Sequence, residues 1–179
     1  MRGVVFFISL LLIGCSSSPN EKAIKKIDSL LVQANKASVQ LSEFNPADVK
    51  PLVDTINFDV KFIQQEYSDT MTMELATKID TYLRNVKSIR KFDEAYNAQR
   101  KDVDYSIDQL SDMKADLESG IMDSTGFNMY IGSEEEALNR MIESNVGLKT
   151  WFENIQETFK AYKLPIDSII LEIKEQNGY

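Results

Sequence analysis

Residues 21–42 read EKAIKKIDSLLVQANKASVQLS, and within them Ile24, Ile27, Leu31, Ala34, Ser38 and Leu41 step by three and four without a miss. That spacing lays one apolar seam along a helix of 3.6 residues per turn and does not fit the alternation of a half-buried strand. Val53, Ile56, Val60, Ile63 and Tyr67 repeat it. Asn45-Pro46 and Pro51 punctuate the space between, and proline is acceptable in a helix's first turn. Two antiparallel helices joined there are expected.

A third series runs Leu75, Ile79, Tyr82, Val86, Ile89, Tyr96, Val103, Ile107, Leu110 and Leu117, with polar Asp93, Arg100 and Lys114 on the same phase. It fits one helix of about 75 Å at 1.5 Å per residue, or two helices breaking between Lys91 and Asp104. No glycine occurs from Ser16 to Ser119, and the prolines there are Pro19, Pro46 and Pro51, so helix breakers are scarce. A last series is expected to start at Ser133, which forms a capping box with Glu136, while Glu134 and Glu135 favour the positive helix end. It passes through Leu138, Met141, Leu148, Phe152, Ile155, Phe159 and Tyr162, then through Ile166, Ile169 and Ile173 beyond Pro165, which should kink or split it. The chain has no βαβ alternation and no internal repeat. The expected fold is all-α, an antiparallel helical bundle of about four to six helices, some long and coiled-coil-like.

Gly120 to Gly132 (GIMDSTGFNMYIG) reads as a long loop in which Ile121, Met122, Phe127, Met129, Tyr130 and Ile131 cap the open end of the bundle. Trp151, Phe152, Phe58 and Phe62 are expected in the core.

With 179 residues, 43% of them hydrophobic, the chain suits one domain with a sizeable core. Its 28 acidic and 20 basic residues give a net charge of -8, which repels nucleic acid. There is no histidine and one cysteine. An intrachain disulfide, Cys/His zinc sites and every histidine general base are therefore excluded. No cofactor or metal is expected.

The amino terminus carries the address. Arg2 precedes Val4 to Ile13 (VVFFISLLLI), an apolar run too short to cross a bilayer but of signal-peptide length. Leu12-Ile13-Gly14-Cys15 follows, and it resembles the lipobox of bacterial lipoproteins. The resemblance covers about the first 20 residues and implies cleavage before Cys15, with acyl chains placed on that residue. It divides the chain into a removed signal (1–14), a lipidated cysteine and tether (15–20), and a helical domain (21–179). Ser16 is similar to residues that send enterobacterial lipoproteins to the outer membrane. The implied location is the cell envelope, on the outer membrane and facing the periplasm.

Carboxylates are the remaining acid/base groups, and sequence spacing puts no two of them across a cleft. Asp104, Asp108, Asp112 and Asp116 form a stripe at i,i+4 spacing on the face opposite the apolar seam, with Tyr105 beside them. Together with Phe127 and Tyr130 they make the candidate contact surface. The expected function is that of a non-catalytic lipoprotein working through contacts with another envelope protein. An envelope enzyme using carboxylates on glycan and a solute-binding helical lipoprotein are the alternatives. A solvated stripe serving solubility is the plain reading of the aspartates.

Overall fold

Asn45 opens a helix three residues after the preceding one ends at Ser42. Its backbone is extended, its side chain accepts the Ala47 N–H at 2.9 Å, and Pro46 takes the first helical position, where a missing N–H costs nothing. The computed structural model describes residues 19–178. Among them lie α1 (Pro19–Ser42), α2 (Pro46–Glu66), α3 (Met73–Ser119) and α4 (Ser124–Asn177), and there is no strand. The all-helical class is shown. Leu12, Ile13, Gly14 and Cys15 fall outside the described residues.

The helices make three rods. α1 and α2 do not pack on one another; each packs on both α3 and α4. Going up the chain, Asp28 meets Lys114, the Leu41 carbonyl meets Tyr96, Lys50 meets Asp93 and Asp59 meets Tyr82, so α1 and α2 run antiparallel to α3 as one broken rod. Against α4 the order is parallel: Lys26 to Glu135, Ala37 to Asn145, Asp59 to Lys163 and Glu66 to Asn177. The expected hairpin at Asn45-Pro46 is therefore wrong, and the four helices pack as three rods rather than as a bundle of about four to six helices side by side. With 47 residues, α3 is one helix of about 70 Å, as long as the first rod beside it.

Each rod buries its inner face at steps of three and four. In α1 the fully buried positions are Ala23, Ile27, Leu30, Ala34, Ala37 and Leu41, while Ile24 and Leu31 flank them half-buried. A helix facing two neighbours buries a wider arc than a two-stranded seam, which is why both sets are covered. In α3 the seam changes phase: Ile79, Tyr82, Asn85 and Ile89 are buried at steps of three, three and four. Beyond that shift Phe92, Gln99, Ser106 and Met113 point inward, in place of Asp93, Arg100, Ile107 and Lys114. Such a three-residue irregularity overwinds a supercoil locally.

The α1–α2 joint is filled by Phe44, 2% exposed, with ring centroids 6.4 Å from Phe92, 5.9 Å from Tyr96 and 6.0 Å from Phe152. Trp151 packs edge-on to Phe92 at 6.0 Å and its indole N–H donates to Ser88 at 2.9 Å. Phe62 is half-buried beneath the Lys174 ammonium, 5.6 Å from its ring centre. Phe58, expected inside, is 72% exposed.

Two polar layers cross the core. Asn145 accepts from Gln99 at 2.9 Å and donates to the Ala37 carbonyl at 2.9 Å, tying α1, α3 and α4 at one level. Asp59 accepts from Tyr82 at 2.8 Å and pairs with Lys163 at 3.0 Å, which ties α2, α3 and α4. Lys163 also bonds Asp167. Burial alone would lower the Lys163 pKa, but its bonds to Asp167 and Asp59 outweigh this and hold it above the usual value. Burial, with the Asp59 bond, pushes the Tyr82 hydroxyl far up.

The 13-residue loop expected at 120–132 is a short turn. Gly120, at φ 73° in the left-handed region, caps α3, and Asp123 caps α4 by accepting the Thr125 and Gly126 amides at 3.0 and 2.9 Å. Residues 124–132 are already helix, so Ser133 is interior rather than a cap, and Pro165 does not split α4. Pro19 and Asn20, expected outside the helical domain, belong to α1.

Candidate contact surface

Along one side of the rod, α3 and α4 enclose an open groove. Its upper part, about 410 Å³, is lined by Gln99, Asp102, Tyr105, Ser106 and, from α4, Glu134 and Arg140 among others. Its lower part, about 230 Å³, continues past Glu134 to Gln109, Asp112, Asp116, Met122 and Tyr130. The helical period explains the order: residues three and four apart on α3 return to the same edge of the groove.

The aspartate stripe divides across this groove. Asp112 and Asp116 line it; Asp104 and Asp108 are exposed outside it, and Asp104 is 3.7 Å from Arg100. Tyr105 is 63% exposed and its hydroxyl accepts from Gln109 at 2.7 Å. Tyr130 is 55% exposed on the opposite wall. Phe127 does not belong to this surface: it is 5% exposed and packs with Leu117 and Leu138 in the core. Six of the seven predicted contact residues therefore lie on or beside one face, and Phe127 lies beneath it.

Charge along the groove is predominantly negative. Lys114, between Asp112 and Asp116 in sequence, pairs instead with Asp28 of α1 at 2.7 Å. That bond holds its pKa above the ordinary lysine value against a smaller opposing effect of burial. Arg140 pairs with Glu136 one turn earlier at 2.6 Å. Ser106, 2% exposed at the groove floor, has no hydrogen-bond partner for its hydroxyl among the described residues. A buried hydroxyl left so is costly unless something bonds it.

The groove residues that sequence reading missed include Gln99, Asp102, Ser106, Gln109, Glu134 and Arg140. Glu134 was read as part of a helix start, which hid it. Had α4 been carried back to Asp123, the spacing Phe127, Ile131, Glu134, Leu138 would have set it at the edge of the seam. Among the described residues no helix is long and apolar enough to cross a membrane, and no cluster of three or more acidic or cysteine side chains is arranged to hold a metal ion. The chain matches no protein-family model, no curated protein and no solved structure.

Proposed function

We propose that the chain is a lipid-anchored protein of the bacterial envelope whose three-rod domain acts without catalysis, by holding a basic segment of another envelope protein in the α3–α4 groove. The observation that carries the reading is the pairing of two exposed tyrosines, Tyr105 and Tyr130, with Asp112, Asp116, Asp102 and Glu134 along one cleft. Tyrosine supplies broad contact area at low entropic cost, and the carboxylates favour a cationic partner and speed its approach. The LIGC sequence at residues 12–15 supports the anchored location, and Ser16 the outer-membrane address. Acyl chains on Cys15 would add about 0.8 kcal/mol for each buried methylene.

The test has two arms. Mass spectrometry of the protein from its native host should find residues 1–14 removed and acyl mass on Cys15; an unprocessed chain with a free thiol removes the anchored reading. A photo-crosslinker at residue 105 or 130 of the lipidated protein should capture a partner whose yield falls in Asp112→Asn/Asp116→Asn and with added salt, helicity being unchanged. Yields that ignore both changes leave the aspartates as a solvated face.

A further inference from the structure

Both the start of α1 and the α3–α4 turn lie at one end of the rod. Asn20 donates to the Leu117 carbonyl at 3.4 Å, and Ala23 and Ile27 share a core cluster with Leu117 and Phe127. That cluster is closed from within by Phe127, with Met122 and Ile131 packed against it. Ile121 at 79%, Met129 at 71% and Tyr130 at 55% exposure are not used to seal it. Ile121 stands at the turn itself, and Met129 and Tyr130 lie within about 9 Å of the start of α4, at 1.5 Å per residue.

Cys15 precedes Pro19 by four residues, which span at most about 14 Å fully extended. We infer, resting on the lipid-anchored reading above, that this end is a lipid-contact tip: the Ile121 turn enters the headgroup region of the membrane that holds Cys15, with Met129 on its flank. The dimensions agree, since interfacial segments sink about 5–10 Å. Two polar groups at the turn are already engaged, the Asp123 carboxylate by two amides of α4 and the Met122 N–H by the Asp116 carbonyl. Electrostatics then decides the posture. The net charge of -8 disfavours laying the long sides of the rod on an anionic bilayer, and the short link from Cys15 selects the Ile121 turn over the far end, where Met71 and Met73 are also exposed. The rod stands upright, carrying the link between α2 and α3 about 70 Å outward.

The experiment uses the full lipidated chain in phosphatidylcholine vesicles containing a minor fraction of phosphatidylglycerol. Cys15 is the sole native cysteine, so once it is acylated an introduced thiol is a unique label site. An environment-sensitive fluorophore is placed in turn at Ile121→Cys, at Lys101→Cys on the side of the rod and at Asp69→Cys at the far end, with headgroup spin-labelled lipid as quencher. All three positions are exposed, so labelling leaves the core intact. Quenching several-fold stronger at 121 than at 101 and 69, with a blue-shifted emission at 121, is the expected result. Equal quenching at 121 and 101 means a rod lying flat and overturns the proposal. Equally weak quenching at all three, with acyl mass found on Cys15 of the same sample, overturns the tip and leaves the anchor standing. Absence of acyl mass removes the anchor and the tip together.

Discussion

Changing Asp59 to Ala should be among the most damaging single substitutions in the half of the rod that α2 builds. Asp59 is 4% exposed and answers two groups at once: the Tyr82 hydroxyl at 2.8 Å and the Lys163 ammonium at 3.0 Å. Removing one member of a buried ion pair costs about 3–5 kcal/mol when the other charge is stranded. Lys163 is not stranded, because its side chain is 25% exposed and keeps Asp167. The cost should therefore fall to the loss of a charged hydrogen bond, about 1.5–3 kcal/mol, plus a smaller amount for the buried Tyr82 hydroxyl. For a chain of this size about 2–3 kcal/mol lowers the midpoint of thermal unfolding by roughly 4–12 °C. Asp59→Asn keeps an acceptor for Tyr82 and should lose less. The pair also predicts a pH dependence. Tyr82 and Lys163 both titrate higher folded than unfolded, so the stabilisation they give is complete below their unfolded pKa values, near 10, and is lost as pH rises beyond them. Unfolding in urea, followed by circular dichroism at pH 7 and at pH values above 10, measures both. An Asp59→Ala midpoint within experimental error of wild type, or an alkaline loss undiminished in Tyr82→Phe, would refute the reasoning.

Gly132→Ala and Gly147→Ala should each stabilise by about 0.5–1 kcal/mol, since an added Cβ meets nothing within 4 Å at either helical position; a thermal melt of the double variant checks this. Gly120→Ala should lower stability by about 1 kcal/mol in the same assay, because its φ of 73° strains any residue with a Cβ. Phe44→Ala should cost about 3–5 kcal/mol, since the side chain fills the joint between α1 and α2, and proteolysis should then cut near residues 43–46. Asn145→Ala should cost about 1–3 kcal/mol in urea unfolding by leaving the Ala37 carbonyl without its bond, whereas Gln99 keeps the Met141 carbonyl.

Helix was legible because its period is local; the arrangement of the helices was less so. Asn45-Pro46 announces a helix start, but an N-cap carries no information on whether the new helix turns back or carries straight on. Length carries it. The segment from 19 to 66 is as long as α3, and two short helices laid end to end against one long helix bury all their seams, whereas a hairpin would leave half of α3 bare. At α4 the reading of 120–132 as a loop overlooks a spacing that runs through Gly126 and Gly132. Each interior glycine costs about 1 kcal/mol against alanine, while a buried Phe127 or Leu138 gains about 1.5–3 kcal/mol. Phe127, Ile131, Glu134 and Leu138 already keep steps of four, three and four through both glycines, so packing extends the helix to Asp123.

The phase shift at Asn85 is a different case. Extrapolating the α3 seam from Leu75, Ile79 and Tyr82 by sevens leads to Asp93, Arg100 and Lys114, three charged residues where a core should be. Charged side chains are almost never fully buried unless paired, so this series was improbable as it stood. Moving one residue back gives Phe92, Gln99 and Met113, which the structure buries. The same step decides the contact surface. Once Phe92, Gln99, Ser106 and Met113 face the core, Asp102, Tyr105, Asp112 and Asp116 fall at the edge turned toward α4. The acidic groove is thus a consequence of the shift, and the charged residues that disfavoured the first series were the available sign of it.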